Sequence, residues 1–175
     1  MRRRTLAPLV PFMAAAATAA LLGTASPAAA ESPIGAWEPA PSAPWSFPAG
    51  ARCDFPVHGS PVVDEVVRRT VAVREDGTQV FEYKGALVIR VVNSTTGATY
   101  DADAGGRALV EVHPDHSQKW YVIGPILAGF AEYGGNLARG LYTPDGVYTL
   151  DVSPTGYKTL TFLHGSADAL CERVG

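Results

Sequence analysis

The clearest alternation of apolar and polar positions along the chain runs from Val80 to Val92. Its odd positions carry Phe81, Tyr83, Leu87, Ile89 and Val91, and its even positions include Glu82, Lys84 and Arg90. A period of two buries one set of side chains and exposes the other, as in an antiparallel sheet. Gly85 interrupts the run and predicts a bend or a bulge within this strand.

Other short runs follow, and residues that favour turns separate them. Further strands are predicted at 68–74, 98–102, 108–112, 119–126, 140–142, 147–152 and 157–163. The turn signals include Asp76-Gly77 and Pro144-Asp145-Gly146. We therefore predict an all-β fold of about 7–9 short strands, with no substantial helix after residue 30. A single antiparallel meander barrel is the preferred arrangement and a β-sandwich is the alternative, because both give the same alternation.

The first thirty residues have a different pattern, which is typical of an export signal. A basic start, Met1-Arg2-Arg3-Arg4, precedes a mostly apolar stretch from Leu6 to Leu22, and Ala28 and Ala30 fit signal-peptidase cleavage. Two prolines interrupt the apolar stretch, whereas a membrane span needs ~20 continuous apolar residues. We predict that residues 1–30 are a signal peptide and that the mature protein is secreted and extracellular, without stable membrane insertion.

Residues 31–50 form a second distinct segment, rich in proline. Its five prolines exclude a helix or a central strand, so the segment is expected to be an extended arm ahead of a β-domain at 51–175. The arm also contains Trp37, Trp45 and Phe47. These aromatic residues either pack against the domain surface or bind a partner.

Composition changes the picture in two respects. Without residues 1–30 the chain would keep 145 residues, of which 11 are basic and 17 are acidic, giving a net charge of −6. Such a charge argues against nucleic acid as a partner. The chain has two cysteines, Cys53 and Cys171, and an even number in an exported chain predicts a disulfide.

A search for catalytic chemistry assigns no catalytic residue. The chain lacks a nucleophile elbow, an H-E-x-x-H zinc motif and a phosphate-binding glycine loop. His113-Pro114-Asp115-His116 is the local cluster with metal-ligand chemistry, but a third ligand at a fixed spacing is missing. We interpret it as a polar hairpin tip and expect no metal and no cofactor.

Aromatic residues crowd the second half of the mature chain. Six of them are candidates for lining a ligand pocket: Trp120, Tyr121, Phe130, Tyr133, Tyr142 and Tyr148. Their ordinary role is packing in the core and at its rim. In a closed β-structure they would instead line a mouth that holds a small apolar or aromatic ligand.

Several short pieces, in this order, carry a resemblance to a protein group. They are Cys53-Asp54-Phe55-Pro56-Val57, residues 85–93 with Thr96-Gly97, Gly124-Pro125, residues 140–146, Leu163-His164-Gly165 and Leu170-Cys171. With these pieces the chain resembles a group of secreted actinobacterial proteins of unknown function, from about Cys53 to Cys171. The resemblance implies an exported β-domain, built as a barrel, with paired terminal cysteines. It transfers no catalytic residue.

Three functions are compatible with these features. The leading hypothesis is a non-enzymatic binding domain for a small apolar ligand or for an extracellular or cell-envelope partner. The second is an isomerase or cyclase that works in a barrel cavity, which would require a buried His, Asp or Glu beside a pocket. The third is an envelope or matrix protein that docks through its N-terminal arm.

Overall fold

The structure is a computed structural model that describes residues 34–175; the predicted signal peptide lies outside the described residues. It contains two antiparallel sheets and one short helix. The larger sheet has eight strands: β1 (Glu38–Pro39), β4 (Val67–Val73), β5 (Gln79–Lys84), β8 (Arg107–Val112), β9 (Gln118–Ile123), β10 (Ala128–Phe130), β11 (Gly140–Val152) and β12 (Lys158–Ala169). The smaller sheet has four strands: β2 (Trp45–Phe47), β3 (Val57–Asp64), β6 (Leu87–Asn93) and β7 (Thr99–Asp103). The helix, α1 (Leu170–Val174), ends the chain.

The strand order shows how the two sheets are related. The larger sheet runs β1-β4-β5-β8-β9-β11, and the smaller sheet runs β2-β3-β6-β7. β11 pairs with β9 through its C-terminal half and with β10 through its N-terminal end, and β12 pairs along the other edge of β11. The first four strands of the larger sheet, in order, are therefore adjacent along the chain to the four strands of the smaller sheet. The corresponding pairs are β1 and β2, β4 and β3, β5 and β6, and β8 and β7.

The chain crosses between the sheets four times, and neighbouring crossings are hydrogen-bonded to one another. The Ala40 amide donates to the Val66 carbonyl at 2.9 Å, the Glu65 amide to the Ala86 carbonyl at 2.8 Å, and the Ala104 amide to the Leu87 carbonyl at 2.8 Å. The four crossings therefore lie side by side where the two sheets meet, as in sandwiches whose strands pass from one sheet to the other at a corner. The sheets are not closed into a barrel, and the predicted alternative, a β-sandwich, fits the described residues.

The strand predicted from Val80 to Val92 is in fact two strands in different sheets. β5 belongs to the larger sheet and β6 to the smaller one, and the chain turns between them at Gly85. Gly85 has φ of 134°, and a Cβ atom there would lie 2.2 Å from the Glu65 carbonyl oxygen. Only glycine fits this corner without strain. The separation of β5 from β6 is one reason why the described residues form 12 strands, more than the predicted number of about 7–9.

The turn predicted at Pro144-Asp145-Gly146 is not formed. β11 continues through these residues because β12 pairs with them, and Gly146 lies opposite Gly165. Both glycines have positive φ, 127° and 121°, and the register shifts between Val147 and Tyr148. The glycines allow the backbones of β11 and β12 to approach closely. The residues predicted to form a turn therefore lie beside a bulge within the long strand β11.

Buried apolar side chains form two clusters, and the predicted disulfide closes one of them. The first cluster joins the smaller sheet to α1, where Leu170 and Val174 are fully buried. Cys53 and Cys171 are bonded beside it, which confirms the predicted pairing. The second cluster covers the larger sheet and includes Phe130, Tyr148, Leu150 and Leu160.

Candidate ligand-binding cavity

An apolar cavity of about 540 Å³ lies between the two sheets. The larger sheet contributes Tyr83, Ala108, Gln118, Trp120, Leu150, Val152 and Lys158 to its lining, and the smaller sheet contributes Trp45, Leu87 and Ile89. Other lining residues come from the crossings and from the segment at 126–129. A cavity of this size and apolar character is typical of small-molecule sites, which measure about 300–1,000 Å³.

A stacked aromatic pair forms part of the wall from the larger sheet. The rings of Tyr83 and Trp120 lie 6.1 Å apart between centroids, with an interplanar angle of 14°. Trp120 Nε1 donates to Gln118 Oε1 at 2.9 Å, so the indole nitrogen is satisfied without a ligand. The pair presents flat apolar surface and leaves few polar groups to be desolvated on binding.

Residues 40–44, which we name the strap, cross one side of the cavity from β1 to β2. Ala40, Ser42 and Ala43 of the strap line the cavity. β1 pairs with β4 of the larger sheet, and β2 pairs with β3 of the smaller sheet. The proline-rich arm therefore connects the two sheets and covers the space between them.

Two contacts fix the strap at its centre and at its end. The Asp64 carboxylate accepts hydrogen bonds from the amides of Ser42, at 2.6 Å, and Val66, at 3.2 Å. Trp45 packs over Gly59, where a Cβ atom would lie only 2.1 Å from the indole ring. Asp64 thus holds the strap to the adjacent crossing, and Gly59 provides the space that Trp45 occupies.

We expect Asp64→Ala to loosen the strap. Loss of the charge-assisted bond to the Ser42 amide should speed amide hydrogen exchange in residues 40–47 by about tenfold or more. Asp101→Ala is the matched control, because it removes a carboxylate that pairs with Arg90 on the surface. Mass spectrometry of peptides after exchange measures the effect, and equal exchange in the two variants would contradict this role of Asp64.

Two cationic side chains lie at the Gly129 side of the cavity. Lys158 lines it and donates from Nζ to the Gly129 carbonyl at 3.0 Å. Arg52 stands against Gly129, since a Cβ atom at this glycine would lie 3.0 Å from Arg52 Nε. Burial lowers the pKa of Lys158 below its usual value, and the positive charge of Arg52 lowers this pKa further.

The pocket residues predicted from the sequence are spread over several environments. Trp120 lines the cavity, Tyr121 lies on the outer face of the larger sheet, and Tyr133 is 90% exposed. Phe130 and Tyr148 are buried in the core, where burial raises the pKa of the Tyr148 hydroxyl. Tyr142 packs against the same core and donates to the Ala138 carbonyl. Of the six candidates, the structure brings Trp120 to the cavity.

The three aromatic residues of the arm all contact the rest of the protein. Trp37 has two cations over its ring, Arg69 at 4.6 Å and Lys84 at 4.1 Å. Trp45 lines the cavity and packs against Phe47, with ring centroids 5.2 Å apart. The arm is therefore ordered against both sheets from residue 34 onward.

Several cavity residues belong to a sequence pattern that predicts a buried strand face. Tyr83, Leu87 and Ile89 belong to the apolar face of the Val80–Val92 alternation, and that face lines the cavity on both sides of the corner. Lys158 gave no such signal, because a lysine near the start of a strand is ordinarily solvent-exposed.

The histidine cluster forms the hairpin tip between β8 and β9. Asp115 accepts hydrogen bonds from the amide and hydroxyl of Ser117, and His113 Nδ1 lies 3.1 Å from Thr78 Oγ1. Within residues 34–175, no three His, Cys, Asp or Glu side chains come together as a metal site would require. The same residues contain no helix with the length and apolar character needed to cross a membrane.

Comparison with known proteins gives no further guide to this cavity. No protein-family model, curated protein or solved structure matches the chain.

Proposed function

We propose that the protein is exported and that it binds a small apolar molecule in the cavity between its sheets, without catalysing a reaction. The observation that carries this proposal is the apolar cavity of about 540 Å³ under the strap. The cavity is partly open to solvent, and small-molecule sites are typically concave, mostly apolar and of about this volume. A space of this volume, lined by Tyr83, Trp120 and aliphatic side chains, is therefore suited to a ligand.

Three features support export. The N-terminal sequence has the pattern of a signal peptide, and the disulfide is compatible with an oxidising extracellular compartment. The resemblance to secreted actinobacterial proteins favours the same compartment.

The lining of the cavity disfavours the enzyme alternative. An isomerase or cyclase would need a general acid or base beside its substrate. Among residues 34–175, no His, Asp or Glu lines the cavity, so that role would fall to Lys158 or to a neutral group. The docking alternative also loses support, because the arm aromatics make contacts within the protein.

We expect the purified protein to bind phenylnaphthylamine, a neutral dye that fluoresces in apolar surroundings, in a saturable manner. Leu87→Trp should weaken this binding by about tenfold or more, because Leu87 lines the cavity and a larger side chain fills it. Fluorescence titration gives both affinities.

The matched control is Val73→Trp, which also introduces a tryptophan into the larger sheet. Val73 is 51% exposed and does not line the cavity, so the affinity should stay within about twofold of the wild-type value. Thermal melting would verify that both variants fold. Failure of the wild-type protein to bind the dye, or equal losses in the two variants, would contradict the proposed function.

A further inference from the structure

Among the residues that line the cavity, the charged one is Lys158, on the Gly129 side, and Arg52 stands against Gly129 next to it. Lys158 Nζ donates to one carbonyl, that of Gly129, and an ammonium has three protons to donate. Arg52 donates through a terminal nitrogen to the Ala51 carbonyl at 2.7 Å, and its guanidinium lies 4.6 Å from the centroid of the Phe47 ring. Arg52 Nε is buried and, among residues 34–175, has no acceptor. Lys158 thus keeps free donors at the cavity wall, and Arg52 adds a second positive charge behind Gly129.

Lys158 and Arg52 are two of the four basic side chains in residues 34–175 without a carboxylate partner; the other two are Lys84 and Arg107. Acidic residues outnumber basic ones, 17 to 14, and most basic side chains in residues 34–175 form ion pairs. Arg139, for example, pairs with both Asp54 and Glu132. Within the described residues, neither Lys158 nor Arg52 has a carboxylate within 4.0 Å. Partly buried charges without a partner are costly, so they are expected where a ligand supplies the partner.

We infer that the ligand is an amphipathic carboxylate, with an apolar chain or ring system in the cavity and its anionic end at Lys158. This inference rests on the proposed function and specifies the class of ligand. The carboxylate would accept the free protons of Lys158 Nζ, and the positive charge of Arg52, which stands against Gly129, would favour an anion at this end. The stacked Tyr83 and Trp120 rings and the aliphatic lining would then cover the apolar part.

The test compares decanoate with decanol, which share a chain and differ in the charge of the end group. Isothermal titration calorimetry with the purified protein should give an affinity for decanoate about tenfold or more above that for decanol. Acetate, which carries the anionic end without a chain, should not bind at the same concentrations. Measurable binding of acetate would show a site for free anions and overturn the inference.

Variants of Lys158 determine where the charge is recognised. Lys158→Met should remove the preference for decanoate over decanol, whereas Lys158→Arg should retain the preference. Lys119→Met is the matched control, because Lys119 pairs with Asp151 and does not line the cavity. It should leave the decanoate affinity within about twofold of the wild-type value.

The outcomes separate this inference from the proposed function. Equal affinities for decanoate and decanol, or equal losses of both in Lys158→Met, would overturn the carboxylate inference while the cavity still binds apolar molecules. If neither compound binds but the neutral dye does, the inference also fails and the proposed function stands. If the protein binds neither these compounds nor the dye, the proposed function itself fails.

Discussion

Replacing both cysteines, Cys53→Ala together with Cys171→Ala, is expected to lower the free energy of unfolding by about 5 kcal/mol. The disulfide spans 118 residues, and the chain-entropy model predicts a large effect because the crosslink restricts a long loop in the unfolded state. Domains of this size have a total stability of about 5–15 kcal/mol, so the loss would remove a large part of it.

Urea unfolding followed by circular dichroism measures this effect. The wild-type protein in reductant is the control, because it lacks the crosslink but keeps the buried Cys53 side chain, which is 2% exposed. We expect it to unfold at about the same urea concentration as the double variant, and any further loss in the variant reports packing at Cys53. A loss below about 1 kcal/mol would contradict the entropic role of the crosslink.

The effect should be largest at the C-terminal helix. α1 has five residues, too few to be stable alone, and it depends on burial of Leu170 and Val174, on the disulfide and on the Asn93 side chain. Asn93 Nδ2 donates to the Val174 carbonyl at 3.0 Å. Without the disulfide, we expect α1 to exchange its amide protons faster than the strands of the larger sheet.

The alternation of side chains predicted the class of fold because it depends on local geometry alone. The pattern predicts one buried face that includes Tyr83, Leu87 and Ile89, and all three line the cavity between the sheets. The same pattern could not reveal that the strand changes sheets at Gly85, because the period of two continues across the corner. For the same reason the sequence did not separate a barrel from a sandwich.

The cationic part of the cavity could not be predicted, because it depends on contacts between distant segments. Arg52 lies in the loop before β3 and Lys158 lies at the start of β12, and Gly129 of β10 separates them in space. Each residue taken singly has the pattern of a surface cation. Aromatic content was also a weak guide to the cavity, because most of the aromatic side chains in the second half of the chain contribute to packing or lie on the outer surface.

Gly85→Ala is expected to lower the free energy of unfolding by about 4 kcal/mol, since it combines backbone strain with a steric clash. Gly85 has φ of 134°, and the added Cβ atom would lie 2.2 Å from the Glu65 carbonyl oxygen, so two neighbouring crossings must separate. Gly97→Ala is the matched control, because Gly97 also has positive φ, 77°, but no atom lies within 4 Å of its added Cβ. It should cost about 1 kcal/mol, the strain alone. Equal losses in urea unfolding would show that the crossings are not in close contact, whereas the expected difference would identify this corner as the support of the cavity, since Val66 and Leu87 line it from either side.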